Sequence, residues 1–140
     1  MAIRTTTASR TSTEHSGRAF LQTAIALQTV AIFFQAATAG LLLSSSHGEV
    51  LHSVGARVMY GASMLYLLAA VLAWRPGGGS PRPVLHAFGF LLLASVQVVL
   101  GVTHRPSLHV PLGVLMFGLS VLALGQVLTG RLPAYSGRRS

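Results

Sequence analysis

The sequence predicts an all-α integral membrane protein, an up-down bundle of four spanning helices built as two helical hairpins related by a pseudo-twofold axis. Three observations predict it. The 140 residues are 51% hydrophobic and only 9% charged, far below the roughly 25% charged residues of soluble domains. Four stretches, 19–43, 52–74, 84–102 and 108–128, contain no acid and no lysine. Each reaches or approaches the roughly 20 apolar residues that cross about 30 Å of hydrocarbon as a helix. Finally, one pattern, H-x-x-x-L-H, occurs twice, at His47–His52 and again at His104–His109, each time between two apolar stretches.

The elements follow in order. Residues 1–18 are polar and carry Arg4, Arg10 and Arg18 among Ser and Thr; too little apolar surface is present to offset the entropy of ordering, so they read as a disordered basic tail. The next run is of full spanning length and lies behind this tail, which predicts a retained helix rather than a signal peptide. Ser44 to Leu51 forms a short loop, and the second helix runs to Trp74. From Trp74 to Pro83 the chain is rich in Pro and Gly, residues that end helices, and Trp74 suits the headgroup level. The third and fourth helices repeat the scheme, and residues 131–140 form a second tail. In each half a helix carrying Gln and then Gly (Gln35 and Gly40; Gln97 and Gly101) leads through a short loop to the histidine pattern.

The net charge of +8 comes from ten arginines against two glutamates. They are split among segment ends and build no stripe, which argues against a nucleic-acid partner. Arg4, Arg10, Arg18, Arg75, Arg82, Arg131, Arg138 and Arg139 fall on one side of a chain that weaves four times, leaving Arg57 and Arg105 near the other. The positive-inside rule then places both termini in the cytoplasm, with the plasma membrane as the expected location. Cysteine is absent, so any metal would be held by His or Glu.

The second and fourth helices run in the same direction, which brings His52 and His109 to similar depth in their first turns. Neutral imidazole offers one nitrogen to a metal and the other as a hydrogen-bond donor. Two such rings facing each other suit the two faces of a haem, with b-type haem the expected cofactor. Small residues follow both histidines, among them Gly55, Gly61, Gly113 and Gly118; they read either as close helix packing or as room for a flat ligand. His47 and His104 are expected in the loops, either solvated or joining His52, His109 and Glu49 in a Zn or Cu site. Glu49, three residues before His52, either favours the helix dipole or handles protons as a catalytic group. Arg57 and Arg105 either snorkel to the interface or take haem propionates. His15 and His86 are expected to be structural or solvated.

These residues resemble one four-helix half of a haem A synthase, the membrane enzyme that oxidises the methyl group of haem O. In that family a ligating histidine opens the second helix and another opens the fourth, positions filled here by His52 and His109. Glu49 stands where its catalytic half has an acid. Gln97-Val98-Val99-Leu100-Gly101 is similar to the run that ends its third helix, and Leu108-His109 with Gly113 to Phe117 to the start of its fourth. Ser53 stands where the family has Arg, the loop 44–51 lacks the family's frequent cysteine pair, and only one half is present. The resemblance implies haem binding, with a lone half either dimerising or binding without catalysis; the second is the expectation here.

Three functions therefore compete. The leading one is a small haem-binding membrane protein for electron transfer, haem handling or respiratory oxidase assembly, its partners being lipid and either a second copy or a respiratory complex. The others are a structural subunit of a larger membrane complex, and a divalent metal site or small transporter.

Overall fold

A computed structural model describes the backbone of residues 5–42, 44–75 and 80–129, and side chains from residue 16 onward. It holds four helices in sequence, α1 (Thr5–Leu42), α2 (Gly48–Trp74), α3 (Arg82–Val102) and α4 (Pro106–Leu128). All four are long and apolar enough to cross a membrane, α1 over Ser16–Leu42. With every backbone group paired inside its own helix, this is one of the few architectures lipid permits.

Packing follows chain order: α1 lies on α2, α2 on α3, α3 on α4, and α4 closes the ring on α1. Among the described residues, α2 and α4 make no close backbone approach. They are therefore the two ends of one diagonal, parallel to each other, and their inward faces point at one another across the bundle.

The interior is built from small side chains. Ala69, Ala70, Ala87, Ala94 and Ser63 are fully buried, around the larger Tyr66, Ile25 and Met116. Small residues let helix backbones approach, which drives association where lipid is as apolar as leucine. Hydroxyls and an amide tie the helices together: Gln28 Nε2 donates to Ser63 Oγ at 3.1 Å, Thr29 and Ser120 hydroxyls meet at 2.6 Å, and Tyr60 OH meets Ser95 Oγ at 3.2 Å. Leucine, valine and phenylalanine point outward on every helix, as a surface solvated by lipid requires.

Several expectations are corrected. α1 begins at Thr5, so the backbone of 5–18 is helical rather than disordered; once the apolar run nucleates a helix, each added residue gains a hydrogen bond for little further cost. α2 starts at Gly48 rather than His52. The turn before it is tight: the Ser44 and Ser45 N–H groups donate to Leu41 O, and a Cβ at Gly48 would collide with the Leu41 backbone. Only glycine lets the helix begin so close to the end of α1. His52 consequently lies in the second turn, whereas His109 lies in the first turn of α4. Gly61 and Gly118 are exposed with nothing near their α-carbons, so they take no part in close packing. Of the Pro- and Gly-rich turn, residues 76–79 lie outside the described residues, as do the tail residues 130–140.

Candidate functional site

The two histidines predicted to converge do so. The His52 and His109 rings have centroids 6.0 Å apart and planes at 67°. Both are half-buried, and they come from the diagonal pair of helices.

Each ring is held by the helix that precedes its own. In the second hairpin, Gln97 Nε2 on α3 donates to the main-chain carbonyl of His109 at 2.8 Å, and His109 Nδ1–H donates to Gln97 O at 3.0 Å. A carbonyl accepts only, so Nδ1 carries the proton and Nε2 keeps its lone pair.

The first hairpin repeats the amide clamp: Gln35 Nε2 on α1 donates to His52 O at 3.1 Å. The same amide nitrogen lies 3.2 Å from His52 Nε2. An amide NH2 has donors only, which makes that ring nitrogen an acceptor and puts the proton on Nδ1. Nδ1–H then donates to Thr38 Oγ1 at 3.3 Å, and the Thr38 hydroxyl donates to Gln35 O at 3.0 Å. Both rings are thus in the same tautomer, each with its Nε2 lone pair unprotonated. Hydrogen bonding of one ring nitrogen to fix the other for a metal is the usual support of a ligating histidine.

Two of the glycines serve close helix packing. A Cβ built on Gly55 would strike Gln35 Oε1, and one on Gly113 would lie 2.9 Å from Gln97 Nε2. Gly55 and Gly113 therefore make room for the glutamine amides of the neighbouring helices, the close-packing alternative of the two. Gly101 is the residue against His109, where a Cβ would lie 3.2 Å from Cε1. Among the described residues the amide oxygens of Gln35 and Gln97 are buried without a hydrogen-bond partner, so each glutamine spends its donors on histidine and leaves its acceptor unmatched.

The remaining candidates stay on the surface. Glu49 is exposed in the first turn of α2, where a carboxylate suits the helix dipole. His47 precedes that turn as an exposed N-cap; His104, in the loop before α4, is exposed with a φ of 53°. Arg57 and Arg105 are exposed, the latter as the N-cap of α4. Among the described residues no group of three or more His, Cys, Asp or Glu is placed to hold a metal ion. His47, Glu49, His52, His104 and His109 are therefore not brought together as one Zn or Cu site. His86 is exposed and bonds the Arg82 carbonyl of its own helix at 2.8 Å, while the side chain of His15 lies outside the described residues.

Comparison with protein-family models, with curated proteins and with solved structures gives no match. Function is therefore read from the site itself. The sequence marks Gln35 and Gln97 only as parts of the repeat and singles out nothing at Thr38. The signal was present: a polar amide at the same place in both halves, buried in an apolar helix, has to find a partner, and the nearest repeated polar group is the histidine.

Proposed function

We propose that this protein is a small membrane haem protein, in which His52 and His109 take the iron of a b-type haem from opposite faces. The observation that carries the reading is the 6.0 Å separation of the two ring centres. Two imidazole–metal bonds of about 2.0–2.1 Å, with the half-width of a ring at each end, span about 6 Å. The donor chemistry fits as well: Nε2 is unprotonated on both rings, accepting a Gln35 amide hydrogen bond on His52, and both donate Nδ1–H to an oxygen that raises their basicity. Two nitrogen donors without a third ligand suit a metal whose other positions are filled by a macrocycle.

When bound, haem supplies one-electron redox chemistry. The residues of this chain bind and orient it: His52 and His109 as ligands, Gln35, Gln97 and Thr38 as the groups that hold them. Arg57 and Arg105, exposed on the two ligand-bearing elements, are available to pair with propionates. The resemblance to half of a haem A synthase supports the same reading, with binding retained and no oxidation of the haem assigned to a single four-helix unit. With both termini cytoplasmic in a plasma membrane, as the arginine placement supports, the histidine end faces outward.

The test is spectroscopic. The purified full-length chain, loaded with haem, is expected to give a low-spin Soret band that sharpens on reduction, and to lose that low-spin signature in His52→Ala and in His109→Ala. A colourless protein that ignores added haem overturns the proposal; a stoichiometric protein partner in pull-down would then favour the structural-subunit reading.

A further inference from the structure

The two hairpins repeat one unit but differ at one position. Three residues after its glutamine, α1 has Thr38 where α3 has Leu100. In the second hairpin His109 Nδ1–H reaches the Gln97 carbonyl directly at 3.0 Å. In the first, the Thr38 hydroxyl stands between: His52 Nδ1–H donates to it at 3.3 Å, and it donates on to the Gln35 carbonyl at 3.0 Å. The His52 ring is thereby held one hydroxyl away from that carbonyl, within 3.2 Å of the Gln35 amide nitrogen. That amide donates into the lone pair a metal would need. Among the described residues, His109 Nε2 meets no comparable donor.

We propose that the two imidazoles are unequal ligands, His109 the permanent one and His52 an exchangeable one, with Gln35 the positioning residue that competes for the His52 lone pair. The inference rests on the haem reading above and deepens it. Released from iron, His52 has a hydrogen-bonded resting place on Gln35, whereas His109 has none for its Nε2 among the described residues. With haem bound, the His52 side of the site would open to a small neutral ligand of the carbon monoxide type while His109 would keep the haem in place.

Two measurements test it. The first needs no haem: histidine nitrogen spectra of the full-length, ligand-free protein in lipid nanodiscs. Both rings are expected as the Nδ1–H tautomer. Gln35→Ala should move the His52 Nε2 resonance and leave that of His109 in place, while the mirror variant Gln97→Ala should leave both Nε2 resonances in place. An unmoved His52 resonance, or a His52 ring protonated on Nε2, overturns the assignment of Gln35. Should Gln35→Ala fail to fold, Thr38→Ala, which removes the intervening hydroxyl, is expected to move the same resonance. The second uses haem-loaded protein and carbon monoxide. His52→Ala should keep its haem in a high-spin form, while His109→Ala loses it. Carbon monoxide should bind the reduced wild type, and more slowly in Gln35→Ala by about three- to tenfold, the weight of one hydrogen bond. Equal haem loss from the two histidine variants, or an unchanged rate, overturns the ranking with the haem reading intact; a wild type that takes up no haem overturns both.

Discussion

Replacing Gly55 by alanine tests whether the glycine exists for the glutamine. A Cβ at this position collides with Gln35 Oε1, the far end of a flexible side chain, so the amide has to move. Two hydrogen bonds are then at stake, to His52 O at 3.1 Å and to His52 Nε2 at 3.2 Å. At about 0.5–1.5 kcal/mol each they amount to roughly 1–3 kcal/mol. Against this, Gly→Ala in a helix interior gains about 1 kcal/mol. Gly61, in the same helix with nothing within 4 Å of its added Cβ, supplies the reference, because Gly61→Ala carries the same gain without the collision. Subtracting one variant from the other cancels propensity and leaves the hydrogen bonds: Gly55→Ala should be about 1–3 kcal/mol less stable than Gly61→Ala. Reversible unfolding in mixed micelles, followed by far-ultraviolet circular dichroism, reads the difference. In a Gln35→Ala background the gap should close, since the amide to be displaced is gone. Equal stability of the two glycine variants in the wild-type background, or a gap that persists without Gln35, would refute the clamp.

The core makes two further predictions in the same unfolding assay. Tyr66, 2% exposed among the alanines of α2 and their neighbours, fills space that nothing else reaches, so Tyr66→Ala should cost about 3–5 kcal/mol; a loss under about 1 kcal/mol would mean the bundle collapses freely around the hole. Thr29→Val removes the 2.6 Å contact between the Thr29 and Ser120 hydroxyls. Polar links between membrane helices average about 0.6 kcal/mol and reach about 1.7 kcal/mol, so this variant should fall well short of Tyr66→Ala, and an equal loss would show that the hydroxyl pair outranks packing.

The helices were legible because hydrocarbon imposes one rule on sequence: runs of about 20 apolar residues without charge. Their ends were less so. The start of α2 depends on Gly48 packing against the Leu41 backbone, a contact between residues that no local pattern links. The convergence of His52 and His109 was legible from the repeat and from the parity of helix directions. What supports them was not, since the reach of Gln35 and Gln97 to histidine backbones depends on the register between neighbouring helices. Which of the two roles open to the glycines each one takes depends on the same register. Composition shows that Gly55, Gly61, Gly113 and Gly118 are small; only packing shows that two face amides and two face outward.

Doubling one hairpin explains most of the site's geometry. In an up-down ring of four helices, the second helix of each hairpin runs the same way and occupies opposite corners, so one inward histidine near its start becomes two rings at equal depth across the diagonal. The glutamine clamp is duplicated with it, fixing each histidine through its carbonyl and so fixing the distance between rings at 6.0 Å. Perfect duplication would make the two rings identical. Thr38 removes that equality. By inserting one hydroxyl between His52 and the Gln35 carbonyl, it leaves the ring where the amide of Gln35 can hold its lone pair, while Leu100 at the matching place lets His109 bond its carbonyl directly. Spacing is thus a property of the repeat, and the inequality of the two rings a property of the residue at which the repeat fails. A chain with Thr38 replaced by leucine should therefore recover symmetric histidine spectra without altering the bundle; two rings that stay distinct would place the asymmetry elsewhere.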